Sequence, residues 1–137
     1  MTAELVTVDR LQCHYRVRAG LFSGPPRWIR AVDDVTFAIR RGETLGLVGE
    51  SGCGKSTLGR AMLALRRPTG GEVVFDGKRI FELDRRELKT LRRDMQLVFQ
   101  DPFASLDPRK PVGRSVQAAL DIHGIGDAAG RHEQVEE

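Results

Sequence analysis

Several hallmarks of secreted and membrane-spanning proteins are missing from this sequence of 137 residues. It contains only two cysteines, Cys13 and Cys53, and no apolar run approaches the ~20 residues that a membrane-spanning helix needs. The first residues also lack the basic segment followed by an apolar segment that marks a signal peptide. We therefore expect reduced cysteines, a cytosolic compartment and, for any role at a membrane, a partner that provides the contact.

The charge balance is also too small to indicate a nucleic-acid-binding protein. The formal net charge is +3, which suits an anionic ligand but does not by itself predict binding to DNA or RNA. Hydrophobic residues make up 40% of the chain and charged residues 30%, as in soluble globular proteins. There are no internal repeats and no low-complexity tract, and the length allows one domain at most.

The most informative feature present is a glycine-rich stretch that fits the phosphate-loop pattern G-x-x-x-x-G-K-[ST]. Glycines allow such a loop to fold tightly, which turns successive backbone N–H groups toward an anion. Lys55 would place a point charge at the β- and γ-phosphates, and Ser56 would offer a hydroxyl to Mg²⁺. The predicted nucleotide site consists of Gly49, Glu50, Ser51, Gly52, Cys53, Gly54, Lys55, Ser56 and Thr57.

The sequence on both sides of this loop favours a phosphate site over an ordinary glycine-rich turn. The apolar run at 44–48 predicts a buried strand, and residues 56–65 predict a helix. Leu58, Ala61, Met62 and Leu65 recur at the spacing of one helical face. At a helix N-terminus, free N–H donors and the positive end of the helix dipole both attract phosphate.

The remaining chain predicts an α/β fold in which antiparallel strands precede the strand–loop–helix unit. Short strands are expected at 5–8, 11–15 and 32–39, with a loop at 16–30. A hairpin is expected around Asp76-Gly77, followed by a helix at 84–93 and a strand at 95–99. Residues 101–111 read as irregular, 112–123 as a helix ended by Gly124, and the segment from 128 as a polar helix.

Residues 98–109, Val-Phe-Gln-Asp-Pro-Phe-Ala-Ser-Leu-Asp-Pro-Arg, resemble the glutamine loop of ABC transporter ATPases. The form is similar to that in the ATP-binding subunits of oligopeptide and dipeptide importers. The phosphate loop and the preceding Ala-Val-Asp-Asp-Val at 31–35 point to the same family. This resemblance implies a P-loop NTPase domain with an antiparallel β N-terminal part and an incomplete RecA-like core. Residues 1–137 would then be the N-terminal portion of a nucleotide-binding domain.

The resemblance also implies roles, cofactors and partners. Tyr15 would stack on adenine, Lys55 would contact phosphates, and Gln100 would sense Mg²⁺ and the attacking water. Ser56 and Gln100 would be the metal-site residues, and the cofactors would be ATP and Mg²⁺. The partners would be membrane-spanning permease subunits and a second ATP-binding subunit, with no nucleic acid. The expected location is peripheral, on the cytoplasmic face of the membrane.

The sequence departs from the family by lacking its signature motif, its second acidic motif and its switch histidine. His14, His123 and His132 lie at other places. We therefore expect a truncated or fragmentary ATPase domain that does not turn over ATP alone. A P-loop small-molecule kinase and a non-functional nucleotide-binding remnant are the alternatives. The transported solute stays open among peptides, nickel, glutathione and other solutes.

Overall fold

The computed structural model describes residues 4–17, 27–99, 101, 106–127, 130–131 and 134–135. The chain divides into two compact units, with the boundary between Arg85 and Arg86. The first unit contains the sheet and the predicted phosphate loop. Gln100 and residues 102–105 of the predicted glutamine loop lie outside the described residues.

The first unit is built on a four-stranded antiparallel sheet in the order β2-β1-β3-β4. Its strands are β1 (Glu4–Val17), β2 (Arg27–Arg40), β3 (Gly70–Phe75) and β4 (Lys78–Arg79). The two long strands β1 and β2 pair along almost their whole length. The predicted antiparallel start is confirmed.

β1 is one continuous strand where the sequence predicts two. The predicted break near Arg10 is an irregularity within the strand, because Arg10 has φ +44° and the pairing register shifts between Val8 and Leu11. The predicted loop at 16–30 was also too long. The pairing of β1 with β2 extends as far as Val17 and Arg27. Backbone hydrogen bonding between the two strands therefore outweighs the polar composition at both ends of the predicted loop.

The predicted hairpin around Asp76-Gly77 is confirmed. Asp76 and Gly77 have φ values of +47° and +75°, the pair of positive values that a two-residue type I′ turn requires. The turn joins β3 to the short strand β4, and Ile80 just beyond β4 is almost fully buried.

The core of the first unit lies between the sheet and helix α1 (Lys55–Met62). Leu58 and Ala61 of this helix are buried, as the periodicity predicted. The strands contribute the apolar side chains of Val8, Leu11, Cys13, Val32, Val73 and Phe75. Full burial of a Val, Leu or Phe side chain contributes roughly 1.5–3 kcal/mol. Helix α1, which carries the loop, contacts strands β1 and β2.

α1 ends earlier than the sequence predicted. Ala64 has φ +51°, which turns the chain out of the helix and leaves the Leu65 side chain 54% exposed. Leu65 therefore does not belong to the buried stripe with Leu58 and Ala61.

Two predicted strands, at 44–48 and 95–99, are not formed. Val48 is 94% exposed and Val98 is 90% exposed. Each run has the apolar composition of a strand buried on both faces. A strand also needs a hydrogen-bonded neighbour, and no described segment pairs with either run. The part of the RecA-like core that these runs would form is therefore absent from the described structure.

The second unit contains two helices that follow the sequence prediction. α2 (Arg85–Leu91) starts at the unit boundary and is shorter than predicted, and α3 (Val112–His123) has the predicted limits. Gly124 ends α3 with φ +64°, and Arg93 donates hydrogen bonds to the backbone carbonyl and the ring of His123. The four described residues of the final segment, at 130, 131, 134 and 135, are helical. None of the helices in the described part of the chain combines the length and the apolar composition needed to cross a bilayer.

Candidate nucleotide-binding site

The predicted phosphate loop adopts a tight turn that depends on its glycines. Gly52 and Gly54 have φ values of +83° and +103°, which residues with a Cβ rarely adopt. Between them, the Cys53 N–H donates a hydrogen bond to the Glu50 carbonyl at 3.3 Å. Residues 49–53 and Ser56 are exposed to solvent. The loop can therefore meet a soluble ligand.

Gly54 also brings the loop against strand β2. A Cβ at this position would lie 2.0 Å from the carbonyl oxygen of Ala31 and 3.1 Å from its carbon. Glycine is therefore required twice at Gly54, for its backbone angle and for its close approach to the strand. The sequence predicted the first requirement but gave no sign of Ala31.

Lys55 extends back across the loop that precedes it. Its ammonium nitrogen donates hydrogen bonds to the carbonyl oxygens of Gly49 and Glu50, both at 2.6 Å, and lies 3.4 Å from the Cys53 sulfur. These bonds draw the loop around the ammonium group. The positive charge is thereby held at the centre of the loop, as a site for a phosphate chain requires.

The N-terminus of α1 adds backbone donors beside this charge. The first backbone bond of the helix runs from the Leu58 N–H to the Gly54 carbonyl at 2.9 Å. The N–H groups of Lys55, Ser56 and Thr57 precede it and have no helical carbonyl to bond. No side chain caps Gly54 and no acidic residue lies in the first turn, so nothing from the helix itself neutralises the positive end of its dipole.

The described residues offer little to a metal ion by themselves. They contain no group of three or more His, Cys, Asp or Glu side chains suited to hold one. The Ser56 hydroxyl is an exposed oxygen donor at the start of α1, and oxygen is the ligand that Mg²⁺ prefers. Phosphate oxygens and water would have to supply most of the other ligands.

Tyr15 lies beside the phosphate loop, although it precedes Thr57 of that loop by 42 residues. Its phenol oxygen is 3.3 Å from the Thr57 hydroxyl, so β1 and the start of α1 are joined by a side-chain hydrogen bond. The guanidinium carbon of Arg66 lies 3.9 Å from the centre of the Tyr15 ring. The structure therefore brings Tyr15 to the predicted loop, together with Arg66, which the sequence analysis did not single out.

A second polar cluster lies on the neighbouring strands. His14 Nε2 is 2.8 Å from Asp33 Oδ1, and Arg30 donates to the other carboxylate oxygen at 3.2 Å. The hydrogen bond from His14, assisted by Arg30, outweighs partial desolvation and holds the pKa of Asp33 below its usual value. Burial has the opposite effect on the nearby Cys13, whose thiol pKa is raised.

A pocket of about 280 Å³ lies behind the loop, between it and β2. Aliphatic side chains form most of its wall, including Val35, Leu47 and Leu58. Of the described residues that line it, only Asp33 and Lys55 are charged. Such a wall does not suit a polyphosphate, which carries several negative charges. The N–H groups and Lys55 on the loop are therefore the better candidate site for a phosphate chain than this pocket.

Comparisons with known proteins identify the family of this chain. The model of the ABC transporter family matches residues 32–136. A glutathione import ATP-binding protein of Escherichia coli is 48% identical over 130 residues, covering 93% of this chain. An oligopeptide transport ATP-binding protein of Bacillus subtilis is 46% identical over 125 residues, covering 90% of this chain. The chain spans 21% and 38% of the length of these two relatives.

The fold agrees with solved structures as well. A dimeric ATP-binding cassette in a post-hydrolysis state, bound to ADP and Pi, superposes with a TM-score of 0.76 at 29% identity. The match covers 96% of this chain and 54% of that cassette. With a family model matched over more than half of its length, and with close relatives named as import ATP-binding proteins, this chain belongs to the ABC transporter family of ATP-binding proteins.

Proposed function

We propose that the chain binds Mg·ATP as part of an ABC importer subunit that takes up peptides or a peptide-like solute such as glutathione. The observation that carries the proposal is the loop geometry. Lys55 is bonded to two loop carbonyls, and the uncapped N-terminus of α1 starts at the same residue. The relatives named as glutathione and oligopeptide import proteins support the solute class.

Each residue of the site has a defined task in this proposal. The N–H groups at the start of α1 would bind phosphate oxygens, and Lys55 would neutralise charge on the β- and γ-phosphates. Ser56 would hold Mg²⁺, which supplies charge neutralisation at the phosphates when bound. Tyr15 would stack on the base, a role that its bond to Thr57 favours because it places the ring next to the loop.

Hydrolysis and coupling require groups beyond these. We propose that Gln100 orients the attacking water and helps to hold Mg²⁺, on the strength of the resemblance of residues 98–109 to a glutamine loop. Permease subunits and a second ATP-binding subunit would be the partners, and the assembly would lie on the cytoplasmic face of a membrane. Membership of the ABC transporter family decides against the small-molecule kinase alternative.

The proposal is tested by titrating the purified chain with Mg·ATP in a calorimeter, with Lys55→Ala as the site variant. Loss of a charged hydrogen-bonding group should weaken ATP binding by about 10- to 100-fold. Lys78→Ala is the matched control, because Lys78 is an exposed lysine in the short strand β4. It should bind ATP like the unsubstituted chain.

Thermal melting followed by circular dichroism shows whether both variants keep the fold. Equal ATP affinity in the Lys55 and Lys78 variants would refute the site. Absence of any ATP binding by the folded, unsubstituted chain would favour a non-functional remnant.

A further inference from the structure

The side chain of Arg66 covers one face of the Tyr15 ring. Its guanidinium carbon lies 3.9 Å from the ring centroid, well within the ~6 Å at which a cation and an aromatic face attract each other. Arg66 follows α1 in sequence, whereas Tyr15 lies on β1. The contact therefore links the end of the phosphate-loop helix to the aromatic side chain beside its start.

The backbone turn after α1 determines where Arg66 lies. The N–H groups of Leu65 and Arg66 both donate to the Arg60 carbonyl, at 2.9 and 3.2 Å. Ala64 has the left-handed angle that makes this turn possible. Because these bonds fix the backbone at Arg66, only its side chain has to be ordered for the guanidinium to reach the ring.

Within the described part of the chain, Arg66 has no ion pair that would compete with the ring. None of the salt bridges found among the described residues includes it, although other arginines, such as Arg10 and Arg30, pair with carboxylates. A guanidinium is planar and weakly hydrated, so stacking on an aromatic face is a favourable use of an unpaired one.

Two contacts thus fix the Tyr15 ring. The hydrogen bond to Thr57 anchors its phenol oxygen, and Arg66 occupies one of its two faces. A flat base can stack only on a face that is free. With one face occupied, the other face is the one that can receive it.

We propose that Arg66 is a positioning residue for the base of the nucleotide, supporting the Tyr15 ring from the face opposite to the base. This inference rests on the proposed function, because it assumes that Tyr15 is the surface on which the base stacks. It adds a residue after α1 to a site otherwise formed by β1 and the phosphate loop. Arg66 would act through Tyr15 and would not touch the phosphates.

The binding test compares ATP with inorganic tripolyphosphate, which has no base. In the purified 137-residue chain, Arg66→Ala should weaken ATP binding by about two- to fivefold, as expected from loss of an exposed cation–π contact. Tripolyphosphate binding should not change. Arg67→Ala is the matched control, since it removes an equal charge at the next exposed position. Arg66→Lys should restore part of the ATP affinity because it keeps the cation.

A spectroscopic readout follows Tyr15 directly, because it is the only tyrosine in the chain. With ¹³C-labelled tyrosine, the ring gives one set of NMR signals. Arg66→Ala should move these signals in the ligand-free chain, and Arg67→Ala should not. ATP should shift them in the unsubstituted chain, whereas tripolyphosphate should leave them in place.

The outcomes separate this inference from the proposed function. Unchanged or tighter ATP binding by Arg66→Ala would overturn the inference, and tighter binding would mean that Arg66 occupies the face needed by the base. Equal weakening of ATP and tripolyphosphate would also overturn it, because the effect would then be charge alone. If the unsubstituted chain binds neither ligand, or if Lys55→Ala binds both normally, the proposed function fails and this inference falls with it.

Discussion

Gly54 and Ala31 are in such close contact that a Cβ on Gly54 would lie 2.0 Å from the Ala31 carbonyl oxygen. The contact holds the last turn of the phosphate loop against strand β2. Gly54 is also the residue immediately before α1 and has φ +103°. The position of the loop, and therefore of Lys55, depends on this packing.

We expect Gly54→Ala to lower the free energy of unfolding by roughly 1–3 kcal/mol or more. The new methyl group would strain the backbone at its positive φ and would collide with the Ala31 carbonyl, which belongs to the backbone of β2. ATP binding should fall as well, since the loop must move off β2. Thermal or urea unfolding measures the first effect and calorimetry the second.

Gly59→Ala provides the matched control for this prediction. Gly59 lies inside α1, a Cβ there would meet nothing within 4 Å, and its φ is not positive. Alanine should therefore stabilise the helix by about 0.5–1 kcal/mol. If both alanine variants had the same stability, the contact with Ala31 would not matter for the fold.

The ionised form of Asp33 should stabilise the chain at neutral pH. Because His14 and Arg30 hold its pKa below the usual value, the stabilisation is present above an ordinary aspartate pKa of ~3.9. It is lost as the pH falls toward the lowered value. Unfolding free energies measured between neutral and strongly acid pH should therefore decrease less steeply for Asp33→Asn than for the unsubstituted chain.

Asp34→Asn is the comparison for that experiment. It removes the adjacent exposed carboxylate, and asparagine tolerates the positive φ of +56° found at this residue. The Asp34 variant should keep the acid dependence of the unsubstituted chain. Equal pH profiles for Asp33→Asn and Asp34→Asn would contradict the assignment of Asp33.

The exposed apolar run before the loop should promote self-association. Leu47 is 52% exposed and Val48 is 94% exposed, in a segment with strong strand character and no described pairing partner. Val48→Thr keeps the branched shape but reduces the apolar surface, so it should lower the fraction of oligomer in sedimentation velocity.

The matched change is Val17→Thr, at a valine that is 39% exposed at the end of a paired strand. It should leave the oligomer fraction nearly unchanged. An effect of equal size at both positions would mean that general surface hydrophobicity, and not the unpaired run, drives association.

Gln100 is tested in a protein that carries this chain together with the remaining part of an ABC cassette. Gln100→Ala should reduce ATP hydrolysis more than ATP binding, because a residue that aligns the attacking water acts mainly in the transition state. Steady-state phosphate release and nucleotide titration give the two quantities. A variant that loses binding affinity and keeps its turnover at saturation would refute this role.

Local sequence patterns were sufficient to predict several features of this protein. The spacing of glycines, Lys55 and Ser56 identified the phosphate loop, because backbone angle and charge requirements act within nine consecutive residues. The turn at Asp76-Gly77 and the end of α3 at Gly124 were likewise predictable, since each depends on residues that accept positive φ. The resemblance carried by residues 98–109 identified the family, which the comparisons confirm.

Only the tertiary structure decided which distant groups meet. Tyr15 contacts Thr57, Arg66 covers the Tyr15 ring, and Ala31 contacts Gly54. These contacts form because the sheet and α1 pack together, and no local sequence pattern predicts them. The apolar run at 44–48 shows the opposite case. Its composition predicts a strand, but a strand exists only when a neighbour completes its hydrogen bonds, and that condition is set by the rest of the fold.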